Sequence, residues 1–148
     1  MSNSTEDLRT EVIGRLRKSR DLYQQCVADV SAEVAYRGSE WSITDLLLHS
    51  TGSYGSMLSR ILGEDNPDLG GGYDAEAAWR RVVDGILSSI DRAISSAELP
   101  LDQLERSGKQ VSGSIRALDV IVLMANHFEE HLAQLKDEVR PREGLPNI

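Results

Sequence analysis

One cysteine, four prolines and an aromatic content of 5 % leave this chain of 148 residues few covalent or aromatic anchors. The single thiol, Cys26, excludes an internal disulfide and a zinc site built from several cysteines. Long apolar runs are missing as well. The longest covers residues 120–125, far short of the roughly 20 residues a membrane span needs. Residues 1–7 contain neither a basic nor an apolar segment, so no secretory signal is read there. These absences predict a cytoplasmic protein. Positive charge is also scarce, with 16 Lys and Arg against 24 Asp and Glu and a net charge of −8. Phosphate backbones and anionic membrane surfaces repel such a chain on average. The densest basic stretch, residues 15–20, reads as a solvated helix face and not as a nucleic-acid contact.

What is present is an ordinary globular balance, 40 % hydrophobic and 27 % charged. The length suits one domain over residues 1–148, with a core spanning about 8–139, in which folding buries about 70 % of the unfolded chain's surface. Apolar residues recur at helical spacing in four segments, and none of Pro67, Pro100, Pro141 and Pro146 interrupts them. The first segment, residues 4–37, carries Leu8, Val12, Leu16, Tyr23, Val27, Val30 and Val34 on one stripe, with Gly38 as its stop.

The second starts at Ser42 with Asp45 in the place of a capping-box acid. It carries Ile43, Leu46, Leu47, Tyr54, Met57, Leu58 and Ile61, and closes at Gly63. After a loop containing Gly70, Gly71 and Gly72, the third starts at Asp74, shows Trp79, Val82, Val83, Ile86, Leu87, Ile90 and Ile94, and ends at Leu99-Pro100. The fourth covers residues 114–139 and stops before Pro141. Alternating apolar and polar segments are absent, so strands are at most trivial. The fold expected is all-α, a four-helix bundle, with a topology that periodicity leaves open.

Only three histidines occur: His49, His127 and His131. His127 and His131 lie four apart on the fourth helix, hence on one face with about 6 Å between Cβ atoms, a spacing at which two imidazoles can chelate one ion. Projection at ~100° per residue puts His127 roughly 110°, His131 roughly 70° and His49 roughly 115° from the apolar stripes of their helices. The histidines flank the core, and a site there is expected at the rim, open to water. Gly52, Ser53, Gly55 and Ser56 near His49 are small enough to leave a pocket. Asp45 and Gln134, each one turn from a histidine, are candidates to orient an imidazole N–H. A histidine pair four apart also occurs as a plain surface feature. Phe128 stands where a zincin has Glu, and no Glu lies three residues before any histidine, which excludes a di-iron bundle.

Residues 40–49, EWSITDLLLH, resemble the start of the second helix in the DinB-like superfamily. Residues 125–135, ANHFEEHLAQL, resemble its closing helix, and residues 107–111, SGKQV, are similar to the turn before that helix. The resemblance covers nearly the whole chain, in order and spacing. It implies an up-down-down-up four-helix bundle, a homodimer, and one divalent metal ion, zinc or nickel, on His49, His127 and His131. It further implies a metal-dependent enzyme, foremost a thiol S-transferase acting with a low-molecular-weight thiol cosubstrate on a small-molecule substrate. Three neutral imidazoles leave such an ion its full charge and an open position, where a thiol loses its proton at neutral pH. The same site can serve a metal-dependent hydrolase, or a non-catalytic metal-binding module that binds a ligand or a protein. The −8 charge speaks against DNA as a partner.

The first helix also carries Ile13, Leu22 and Cys26 outside its main stripe, more apolar surface than one bundle covers, which is consistent with a dimer. Cys26 reads as a small buried hydrophobe, Trp79 as core, and Trp41 as packing against the helix start. The glycine triplet lacks the Lys-Ser or Lys-Thr of a phosphate-binding loop and reads as a flexible loop.

Overall fold

A computed structural model describes residues 4–37, 42–50, 54, 58, 61–63, 75–110 and 113–148. They are mostly helical. Helix α1 (Ser4–Val27) buries Val12, Leu16, Ser19, Tyr23 and Cys26, the i, i+4, i+7 face expected of it. It does not run on to residue 37. The chain leaves the helix after Val27, and a separate turn, α2 (Ala32–Ala35), begins at Ser31, whose hydroxyl accepts from the Val34 N–H at 3.3 Å. Two partners satisfy carbonyls at the break: the Trp79 indole N–H donates to Val30 O at 3.0 Å and an Arg140 guanidinium N–H to Cys26 O at 2.7 Å.

Helix α3 (Ile43–Ser50) opens with the capping box read from the sequence. The Asp45 N–H donates to Ser42 Oγ at 3.0 Å, and the Ser42 N–H to the Asp45 carboxylate at 3.2 Å. Tyr54, Leu58, Ile61 and Leu62 are helical further along the second segment. Helix α4 (Ala75–Ala97) is followed by the single turn α5 (Leu101–Leu104).

The connection that follows contains a two-stranded antiparallel hairpin, β1 (Ser107–Gln110) and β2 (Gly113–Arg116), pairing Ser107 with Arg116 and Gln110 with Gly113. It displaces the start of the last long helix from the expected residue 114 to Ala117, because residues 113–116 are committed to the ladder. Gly113 sits at φ +129°, open to glycine and strained for other residues. Gly108 is required for a different reason: a Cβ there would meet the Ile61 side chain at 2.7 Å.

Helix α6 (Ala117–Gln134) widens into a π-helical turn, Leu135–Val139, where the Arg140 N–H reaches back five residues to Leu135 O. Pro141 therefore does not end the helix as expected. It falls in the first turn of α7 (Arg140–Arg142), just past the widened turn, where a missing N–H is tolerated.

Helix α1 packs on α4 and α6, and α3 packs on the same two helices. Between them lies one apolar cluster that includes Leu16, Leu46, Leu58, Trp79, Ile86, Leu118 and Phe128. No described helix is long and apolar enough to cross a membrane. The residues that fall outside the description include Gly38, Trp41, Gly52, Ser53, Gly55, Ser56, Met57, the triplet Gly70, Gly71 and Gly72, and the expected helix start at Asp74.

The C-terminal segment is fastened by Arg140, a charged side chain only 1 % exposed. Its guanidinium donates to both oxygens of Asp29, at 2.6 and 2.8 Å, to Cys26 O and, at 2.7 Å, to Pro146 O. Only its Nε lacks a partner. Arg140→Leu leaves buried carbonyls unpaired and is expected to cost about 3 kcal/mol, read as a lower urea midpoint. Hydrogen bonding to Arg140 also holds the Asp29 carboxyl below its ordinary range. The stability from this pair is thus complete above about pH 4, the unfolded value, and disappears as the pH falls through the lower folded value. Arg140→Leu abolishes that part of the acid dependence. An unchanged urea midpoint would show that the latch does not stabilise the fold.

Candidate metal centre

The second and last helical segments converge at the histidines. His49 lies near the end of α3, and His127 and His131 lie one above the other on α6. Their ligand nitrogens all fall within 4.8 Å of one another, the one grouping of this kind among the described residues. Ring centroids are 4.4 Å apart for His127 and His131, 4.7 Å for His49 and His131, and 5.5 Å for His49 and His127.

The burial is graded: His49 exposed, His127 half-buried, His131 only 6 % exposed. The expectation of a rim site open to water therefore holds for His49 and fails for His131. The smaller angle of His131 to the apolar stripe turns its ring inward, toward the core.

Gln134 supplies the orienting contact anticipated for it, with its amide oxygen 2.5 Å from His131 Nδ1. An amide oxygen only accepts, so this contact suits the tautomer with the proton on Nδ1, which turns Nε2 toward the other two rings. That Nε2 lies 2.9 Å from Nε2 of His127. Asp45, the other candidate orienter, is engaged with the Ser42 N–H in the capping box.

Burial, then the neighbouring His131 and His49, hold the His127 imidazolium below the ordinary histidine range, with Glu130 and the Ser50 backbone pulling the other way. A neutral ring with a free lone pair is what a metal ligand must be.

The donor set fits a divalent ion. Nitrogens at 2.0–2.1 Å from a tetrahedral ion are about 3.4 Å apart, so the 2.9 Å pair opens slightly and separations of up to 4.8 Å close by at most about 1.4 Å. Rotation of exposed His49 can supply the closing, and a small ring rotation of half-buried His127 the opening.

One contact escaped the sequence analysis. The Tyr54 ring stands edge-on to His127, with centroids 5.4 Å apart. In the sequence Tyr54 belongs to an apolar stripe, and its position five residues after His49 is the one signal that it reaches the neighbourhood of the site. Cys26 lies elsewhere, fully buried on α1, and burial pushes its thiol up. Compared with protein-family models, curated proteins and solved structures, the chain matches none.

Proposed function

We propose that this chain is a DinB-like four-helix bundle that binds one divalent ion, zinc or nickel, through His49, His127 and His131. In this reading it acts as a thiol S-transferase with a low-molecular-weight thiol. The observation that carries the metal assignment is the convergence of three imidazoles, one of them already oriented by Gln134. The sequence motifs at residues 40–49 and 125–135 support the rest.

When bound, the ion supplies a positive centre that favours the deprotonated form of a thiol at neutral pH. The chain supplies the remainder. His131 and Gln134 hold one nitrogen lone pair in place, His127 stays neutral, and His49 faces water where small molecules arrive. Tyr54 stands edge-on beside His127.

Protein purified without a metal-affinity column is expected to carry close to one divalent ion per chain by elemental analysis. Turnover of a small thiol with a model electrophile should stop on chelation and return with zinc or nickel. A protein that takes up no metal overturns the whole reading. Metal uptake without thiol turnover against several electrophiles overturns the transferase and leaves a metal-binding module.

A further inference from the structure

Tyr23 lies on α1, which contributes no histidine, yet its hydroxyl reaches the backbone beside the site from below. It donates to Phe128 O at 2.7 Å and lies 3.4 Å from Ser50 Oγ. Phe128 follows His127 in the chain, and Ser50 follows His49. The Ser50 hydroxyl carries one proton, which goes either to Leu46 O at 2.8 Å, one turn back along α3, or to the Tyr23 oxygen, which accepts it while donating to Phe128 O. In the second arrangement Ser50, Tyr23 and Phe128 form a buried polar path that joins α3 to α6 through a third helix. The Tyr23 ring also stands edge-on to the Phe128 ring, with centroids 6.4 Å apart.

We infer that Tyr23 is a positioning residue of the histidine site, its hydroxyl holding α3 in register with α6 so that His49 faces His127 and His131. The inference rests on the metal reading given above. Its physical basis is the geometry of helices. Each residue of slide between two helices moves a side chain about 1.5 Å along the axis, comparable with the whole adjustment the three nitrogens need to share an ion. The packed apolar side chains resist such a slide as a group, and a directional hydrogen bond between named atoms adds a fixed point beside the histidines.

The position itself calls for no hydroxyl. Tyr23 is 0 % exposed, and a phenylalanine ring would fill the same space without burying a polar atom. A buried hydroxyl joined to the residues next to two of the three histidines serves placement more than packing.

The test uses the full chain with Tyr23→Phe, which removes one oxygen. Zinc affinity is measured by competition with a chromophoric chelator, and the cobalt-loaded protein is examined by visible absorption. Zinc binding is expected to weaken about tenfold, the lower end of what outer partners of metal ligands contribute, and the cobalt bands to change. In the metal-free protein the imidazole ¹⁵N shifts of His127 and His131 should move. Trp79→Phe, which removes the buried bond to Val30 O, is the control. It should lower thermal stability and leave zinc affinity alone. If Tyr23→Phe does not fold, Ser50→Ala removes the α3 end of the path and should weaken zinc binding several-fold.

Zinc affinity, cobalt bands and imidazole shifts all equal to wild type in Tyr23→Phe would reduce the hydroxyl to a core bond and overturn the inference. Loss of zinc affinity in Trp79→Phe equal to that in Tyr23→Phe would do the same, by making the effect one of general stability. A wild type that takes up no zinc overturns the metal reading instead. The imidazole shifts of the metal-free variant then decide the positioning role alone.

Discussion

Replacing His131 with alanine is expected to strip the protein of the divalent ion proposed for its three histidines. Of the three imidazoles it is the most buried, and its ring is fixed by Gln134, so it contributes a lone pair that needs no ordering when an ion arrives. Losing it leaves one exposed and one half-buried imidazole, His49 and His127. Outer partners of metal ligands are worth about 10- to 100-fold in affinity, and a ligand itself is worth at least the upper figure. Metal content after dialysis should therefore fall from near one ion per chain to near none. His49→Ala should lose the ion to a similar degree. Compared as metal-free proteins, His49→Ala should leave the unfolding midpoint nearly unchanged because His49 is exposed, whereas His131→Ala also empties a buried position. Circular dichroism separates lost metal from lost fold. Equal metal content in wild type and His131→Ala would end the assignment of these histidines as ligands.

The second large effect concerns the nucleophile. If the chain is the proposed thiol transferase, His127→Ala is expected to abolish that activity, by about 10³-fold or more, with helix content retained, while Cys26→Ser leaves it nearly intact. A free thiol with a pKa near 8.5 is only a few per cent ionised at neutral pH and is neither held nor oriented, so removing the site forfeits both ionisation and positioning. Cys26 cannot replace it. The side chain is 0 % exposed, and burial pushes its thiol up, away from the reactive thiolate. Turnover of both variants against several electrophiles reads the result. Activity that survives in His127→Ala and is lost in Cys26→Ser would make Cys26 the nucleophile.

Much of the helical content is legible in the sequence alone. The stripe Val12, Leu16, Tyr23 on α1 and the stripe Leu118, Ile121, Phe128, Leu132 on α6 are buried as the 3.6-residue period demands. The capping box at Ser42 and Asp45 was readable because both of its hydrogen bonds lie within four residues. The pairing of His127 with His131 was readable for the same reason. An i, i+4 relation is a property of the helix and needs no neighbour.

The misread boundaries share an opposite cause. The break after Val27 is held by Trp79 and Arg140, partners distant in the chain, and nothing in residues 28–31 alone announces them. Pro141 looked like a stop because the π-helical turn that accommodates it has no strong local signature. The hairpin at 107–116 has strands of four residues each, too short to show alternation.

The site divides along the same line. The residue types and the spacing on α6 belong to the sequence, as does the candidacy of Gln134. That His49 meets the pair on α6, that His131 is buried while His49 is not, and that Tyr23 reaches both flanking residues were decided by how α3 and α1 pack on α6. Local hydrogen bonds and periodicity act over one or two turns, so a sequence carries them openly. Contacts between residues a hundred positions apart exist only once the apolar stripes have chosen their partners, and that choice is made by the packed core as a whole.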